Sequence, residues 1–309
     1  MSEKKKLLVV LDYEAENQPA LDRALFLARQ SQAELELFVS EFSAALYAHM
    51  AVTREGDELS PDAYLREVES WLFKLAEPLR EQGLTVHTDS VWNRHQYAGI
   101  LEKVASSQPD LVIKATAHDS RLHRTLFNYT DWHLIRECGA PLLLVKSEDD
   151  WHSKRIIASV DPAHVHGKAE QLDANIMAAA SDWARDTGGE LHVFHSIELL
   201  PEPVILAGPY NPTYEDYQGM VETASKEQLD RFMQDYPEVS ESRVHLREGK
   251  PEDTLPVLVR ELQASLVVMG AISRGHRGLL LIGSTAENVL DDLACDILVI
   301  KPDADESDS

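Results

Sequence analysis

The sequence predicts an α/β protein with two tandem doubly wound domains. Each is expected to be a five-stranded parallel sheet of order 3-2-1-4-5 flanked by helices. Three observations lead there. Short apolar runs of strand length alternate with segments of helical spacing along the chain, the pattern of parallel strands joined by crossover helices. The stretch Leu111–Lys146 lies on Leu266–Lys301 without a gap, so that Leu111, Val112, Leu126, Thr130, Leu143 and Lys146 meet identical residues. Leu7–Asp12 likewise lies on Ile156–Asp161. A period of about 150 residues is too long for a solenoid unit and marks a duplicated domain. The expected division is 1–147, 153–303 and a disordered acidic tail, 304–309.

The first half opens with a strand, Leu7–Leu11, ending in Asp12. Leu21, Ala24, Leu25 and Ala28 then recur at helical spacing, and Leu35–Val39 is the second strand. Ser60-Pro61 reads as a helix N-cap followed by proline at the first helical position, with Val68, Leu72, Leu75 and Leu79 on the apolar face behind it. Thr85–Val91, Leu111–Ile113 and Leu142–Val145 complete five strands, and 146–154 is the linker. The second half repeats the order: strand Ile156–Val160, a helical face of Leu172, Ile176, Ala179, Ala180 and Trp183, strand Leu191–Phe194, a helix around 217–233, strand Arg243–Leu246, a helix carrying Leu255, Leu258, Val259 and Leu262, and strands Leu266–Met269 and Ile297–Ile300.

Composition excludes several function classes. A net charge of −24 over 309 residues opposes binding to nucleic-acid phosphates and to anionic membrane surfaces. It leaves room for a small anion held by local backbone donors. Cys138 and Cys295 provide neither a disulfide framework nor a CxxC pair, and read as two buried thiols in a reducing compartment. The apolar run after Lys4-Lys5-Lys6 is too short for a signal-peptide core, and no stretch reaches transmembrane length. The expectation is a soluble, cytoplasmic protein.

In a doubly wound sheet of this order, ligands bind beyond the strand C-termini where the order reverses, between the first and fourth strands. Asp161 and Gly270 end those strands in the second half. Gly283-Ser284-Thr285 then opens a helix, where glycine permits close backbone approach, Ser or Thr caps, and free N–H groups face an arriving anion. An ordinary loop with a capped helix is the competing reading.

Asp after the first strand, a late glycine loop and the Gly-Ser-Thr-Ala-Glu helix start at 283–287 resemble the universal stress protein family. The similarity covers both halves, and the doubled layout with Thr130-Asp131-Trp132-His133-Leu134 looks like its E-type tandem members. The resemblance implies ATP or a related nucleotide as cofactor in the second half. Asp161 would then approach the adenine or ribose end, Ser196 would lie near the base pocket and Met269 would pack on the base. Gly270, Ile272 and Ser273 would line the ribose and phosphates, and Gly283, Ser284 and Thr285 would hold the phosphates. The family's second glycine falls on Ser273, which departs from the pattern. The resemblance further implies an intramolecular pseudo-dimer with the last strands of the two halves meeting, and is compatible with a homodimer of tandem chains.

The first half departs further. Ala115, His118 and Asn128 replace the three glycines, Tyr129 stands for Ser284, and Asp131 occupies the first turn of the helix that should face phosphate. A carboxylate there satisfies the helix dipole and repels an anion. Lys114, in the place of Met269, needs a partner if buried. The expectation is that Lys114 pairs with Asp12 or Asp131 and closes a degenerate site.

The connection from Ile197 to about Thr213 carries Pro201, Pro203, Pro209 and Pro212 around Val204–Ala207, and its proline density argues against regular structure. It reads either as a packed crossover or as a flap able to take an acyl chain. His164, His166, His192 and His195 do not form a recognisable zinc array, so no metal is expected. No Walker, GxSxG or GxGxxG motif is present, and no nucleophile–base pair, so turnover is expected to be at most slow nucleotide hydrolysis. Two function classes remain. One is a cytoplasmic stress-response regulator or sensor acting on unknown protein partners. The alternative is a nucleotide-independent interaction or carrier protein for a lipid-like or nucleotide-linked amphipathic ligand.

Overall fold

The computed structural model describes residues 4–52, 60–119, 124–146, 154–162, 170–206, 213–270 and 289–302. It divides into two compact units, 1–148 and 149–309.

The N-terminal unit holds strands β1 (Lys6–Val10), β2 (Glu34–Glu41), β3 (Val86–Trp92), β4 (Leu111–Ala115) and β7 (Leu142–Val145). All pair in parallel, in the order β3-β2-β1-β4-β7. Right-handed crossovers carry α1 (Pro19–Ser31) and α3 (Pro61–Glu81) over one face of such a sheet and α4 (Gln96–Ser107) and α5 (Tyr129–Glu137) over the other. The central strands are covered on both faces, and Leu8, Leu35, Leu37, Val39, Val112, Ile113 and Leu143 are all fully buried. Helix α3 begins as its sequence dictates: Ser60 is extended, its Oγ accepts the Ala63 N–H at 3.2 Å, and Pro61 follows where an N–H is not needed. It buries Val68, Leu72, Ala76 and Leu79 and stops at Gly83, whose φ of +88° admits few other residues.

The C-terminal unit repeats this with β8 (Arg155–Ser159), β9 (Glu190–Ile197), β10 (Val244–Glu248), β11 (Leu266–Gly270) and β12 (Asp296–Ile300), parallel in the order β10-β9-β8-β11-β12. Helix α6 (Glu170–Thr187) packs Leu172, Ile176 and Ala180 on the sheet, and α9 (Pro251–Leu262) packs Leu255, Leu258 and Val259. The duplication reaches the backbone. Gln108 after α4 and Gln263 after α9 occupy equivalent places, and both are left-handed, with φ of 45° and 48°. Cys138 and Cys295 are buried and form no disulfide.

Four elements depart from the expectation. Helix α2 (Ala44–Val52) follows β2, started by Ser43, whose Oγ accepts the Leu46 N–H at 3.2 Å. An antiparallel hairpin, β5 (Ala117–Asp119) and β6 (Arg124–Leu126), separates β4 from α5. The proline-rich connection is not wholly irregular, because α7 (Glu202–Leu206) forms within it ahead of α8 (Tyr214–Met233). Pro203 sits in the first turn of α7, where a missing N–H costs nothing. The predicted helix start at 283–287 and the tail 304–309 lie outside the described residues, and so do His164 and His166.

On β9 and β10, His192 Nδ1 and His245 Nε2 are 3.0 Å apart and share one proton, with Glu190, Arg155, Arg243, Arg247 and Glu261 as the charged neighbours. Burial lowers the pKa of both rings, Glu190 opposing it at His192 and His192 adding to it at His245. As pH falls the unfolded chain therefore takes up protons first. The stability is complete above about pH 6.5 and declines below it, by at most about 1.4 kcal/mol per pH unit for each ring. His245→Gln keeps a hydrogen-bond partner for His192 without titrating. Urea midpoints at about pH 7.5 and 5.5 should differ less in this variant than in the parent; an unchanged difference would show that the pair does not set the acid limit.

Candidate functional site

In each unit the strand order reverses beside the first strand, and the chain ends that emerge there form the candidate site. In the N-terminal unit Val10 is level with Phe38 on β2 and with Lys114 on β4. Asp12, Ser40, Glu41, Ala115 and Thr116 therefore leave the sheet together. The loop after β1 is tied by Gln18, whose side-chain amide donates to the Asp12 and Ala15 carbonyls and accepts the Asp12 N–H at 3.3 Å. Asp12 Oδ1 accepts the Glu14 N–H at 3.0 Å.

Lys114 points inward. Its Nζ lies 2.7 Å from Asp131 Oδ1 and donates to the Ala115 carbonyl at 2.9 Å, and the Asp131 side chain is fully buried. Asp131 also completes a capping box: Asn128 Oδ1 accepts the Asp131 N–H and Asp131 Oδ2 accepts the Asn128 N–H, both at 2.9 Å. The carboxylate thus occupies the helix start that a phosphate would use.

The expected pairing of Lys114 with Asp131 is present, but the site is not closed. A cavity of about 430 Å³ remains, walled by Val10, Leu11, Asp12, Glu16, Gln18, Ser40, Glu41, Gln96, Ile100, Lys114 and Asn128 among others. The pair explains why: it holds the ammonium against the start of α5, leaving the space above β1 and β2 unfilled. The sequence reading overlooked Ser40, Glu41 and the tie made by Gln18. Laying 34–41 on 190–197 matches Glu, Leu, Phe and Ser and places Ser40 on Ser196 and Glu41 on Ile197, a signal that was there to find. Glu41 is only 6% exposed, and burial raises its pKa, with Asp12 and Glu14 adding to the rise and the Phe42 N–H opposing it.

In the C-terminal unit four of the nine predicted site residues come to one end of the sheet. Met269 pairs with Ser159 across β11 and β8, and Ser159 with Phe194 on β9, so Asp161, Ser196, Met269 and Gly270 emerge side by side. Asp161 is buried, and its N–H donates to both carboxylate oxygens of the buried Asp173 at 3.1 and 3.2 Å, which ties this loop to α6. Gly270 has a packing reason as well: a Cβ there would come within 2.7 Å of Leu172 Cδ2 on α6. Ile272, Ser273, Gly283, Ser284 and Thr285 lie outside the described residues. Among the described residues no helix is long and apolar enough to cross a membrane. Within the same residues, no three His, Cys, Asp or Glu side chains converge as a metal ion requires.

The model of the universal stress protein family matches residues 4–146 and again 154–301. Universal stress protein E of Escherichia coli strain K12 is 27% identical over 301 residues, covering 96% of this chain and 94% of that protein. The protein of the same description from Photorhabdus laumondii is 26% identical over 311 residues, covering 99% and 98%. Among solved structures, a functionally unknown protein from Pseudomonas aeruginosa PAO1 is 28% identical with a TM-score of 0.76, over 97% of this chain and 93% of that one. A universal stress protein from Archaeoglobus fulgidus, 18% identical, shares the fold at a TM-score of 0.63, over 96% and 98%.

Asp131→Ala removes both the partner of Lys114 and half of the capping box, and should destabilise the N-terminal unit by about 3 kcal/mol or more. Adding Lys114→Met should recover part of that loss, because no buried ammonium is then left alone; strictly additive losses in denaturation would show that the two groups do not interact. Gly270→Ala should cost about 1–2 kcal/mol through the clash with Leu172, checked by the same measurement.

Proposed function

The chain belongs to the universal stress protein family, and from that premise we propose that it is a cytoplasmic stress-response protein that binds ATP or a related nucleotide in its C-terminal unit. The observation that supports this best is the meeting of Asp161, Ser196, Met269 and Gly270 at the strand reversal, with Gly283-Ser284-Thr285 following in sequence. Asp161 would hold the ribose or base edge and Met269 would offer the base an apolar face. Gly283, Ser284 and Thr285 would give the phosphates backbone N–H groups and hydroxyls. Ile272 and Ser273 would line the path between base and phosphates. The N-terminal unit is the poorer nucleotide binder on this reading, since Asp131 already occupies the start of α5. Ligand occupancy would act by changing contacts with protein partners, and two buried cysteines outside any disulfide suit a reducing compartment. No nucleophile–base pair is assigned.

A second reading, a carrier of an amphipathic ligand, is favoured by one feature. The connection after β9 leaves Leu200, Val204 and Leu206 about half exposed on and before α7. Mass spectrometry of the ligand retained through native purification separates the two. An adenine nucleotide supports the first and an acylated species the second.

Gly283→Val should abolish nucleotide binding to the full chain while leaving its unfolding midpoint within experimental error, because a side chain at that place blocks the approach of a phosphate. Calorimetric titration with ATP provides the measurement. Affinity equal to that of the parent would remove the phosphate assignment.

A further inference from the structure

The N-terminal cavity has the opposite electrostatics to a nucleotide site. Asp12, Glu16 and Glu41 all line it, and the one basic residue among its described lining, Lys114, is already neutralised by the buried Asp131. An anion entering here would meet three carboxylates and a helix start whose capping box is complete.

One buried group in the wall points to a ligand. Glu41 is 6% exposed, yet among the described residues it accepts one long hydrogen bond, from the Phe42 N–H to Oε2 at 3.3 Å, and no basic side chain there pairs with it. Its other charged neighbours, Asp12 and Glu14, are repulsive, and Tyr64 adds no cation. A buried carboxyl left in this state costs stability that a suitable ligand would return.

The ligand class follows from how the charges are arranged. Asp12 and Glu16 come from the loop after β1 and Glu41 from the end of β2, and the three do not converge as a metal ion requires. Between them lie Val10, Leu11, Pro19 and Ile100, which offer apolar surface. Positive charge must therefore be distributed along a molecule with aliphatic stretches, in a space of about 430 Å³, which is the size of a small-molecule site. We propose that this cavity binds a linear aliphatic polyamine, with ammonium groups on Asp12, Glu16 and Glu41 and methylenes against the apolar wall. An ammonium beside Glu41 favours its ionised form, so affinity should rise with pH until Glu41 is fully ionised in the free protein.

Spermidine titrated into the full chain at about 0.15 M salt tests this calorimetrically. The expected result is one saturable site, weakened about tenfold or more by Glu41→Gln and by Asp12→Asn, and tightened on raising the pH from about 6 to 8. Glu215→Gln is the control, because a chain of net charge −24 attracts polyamines everywhere and Glu215 is an exposed acid at the start of α8. Non-saturating binding, or an equal loss in the Glu215 variant, would reduce the effect to surface attraction and overturn the proposal. Competition by ATP that depends on Glu41 would make the cavity a nucleotide site and overturn it too. Should Glu41→Gln fail to fold, Asp12→Asn decides alone, since Asp12 is exposed at the mouth. Nucleotide binding in the C-terminal unit has its own readout in Gly283→Val, so the two readings fail separately.

Discussion

The constraint on which both units depend is the reversal of strand order in a parallel sheet. From β1 the chain winds one way to β2 and β3, then returns to β4 and β7, so its crossovers lie on opposite faces. The helices that flank β1 and β4 part at that point, and neither covers the gap between their C-terminal ends. The described residues discussed as functional lie at the strand ends around this gap or its equivalent between β8 and β11. The helices elsewhere make the sheet stable; at the reversal they leave a hollow that side chains must fill, line or offer to a ligand.

Much of the fold was legible because its signals are local. Apolar runs of strand length stood against helical spacing, and caps such as Ser60-Pro61 fix a helix start without reference to the rest of the chain. The duplication added a long-range check, since a strand found once should be found again. What escaped reading was either short or dependent on packing. Helix α2 has an apolar sequence that supports several structures, and α7 forms in a proline-rich run because Pro203 falls in its first turn. At the site, Lys114 could be given a carboxylate partner from sequence, Asp12 or Asp131, because a buried ammonium requires one; that the partner is Asp131 depends on packing. The cavity could not be foreseen. Whether an ion pair fills a hollow depends on where its atoms lie, and this one leans toward α5.

Gly270 illustrates how a motif can carry two meanings. Its place at the end of β11 suits close approach of a ligand, and the sequence alone invites only that reading. Leu172 and Ile176 of α6 press on the same residue, leaving no room for a Cβ. Ala115 stands at the equivalent place in the other unit, where the helix contacts tolerate a methyl group. A glycine at a ligand site can therefore be held in place by the helix behind it, whatever occupies the space in front.

The two units share a frame and differ in charge at three places around it. Asp12 and Asp161 are equivalent, as are Ser40 and Ser196, so the ends of the first two strands are built alike. Around them, Glu41 stands against Ile197, Lys114 against Met269 and Asp131 against Ala286. Each pair sets a charged residue in the first unit against an apolar one in the second. Lys114 and Asp131 cancel one another, and the third charge is left over. A single uncompensated carboxyl in a buried wall makes its hollow hostile to phosphate and leaves an electrostatic deficit that only a positive group repairs. With Ile197 in that position the second unit carries no carboxyl at the end of its second strand. On the two proposals made above, the same backbone geometry would serve ligands of opposite charge, and the choice between them would rest on the residue that ends the second strand.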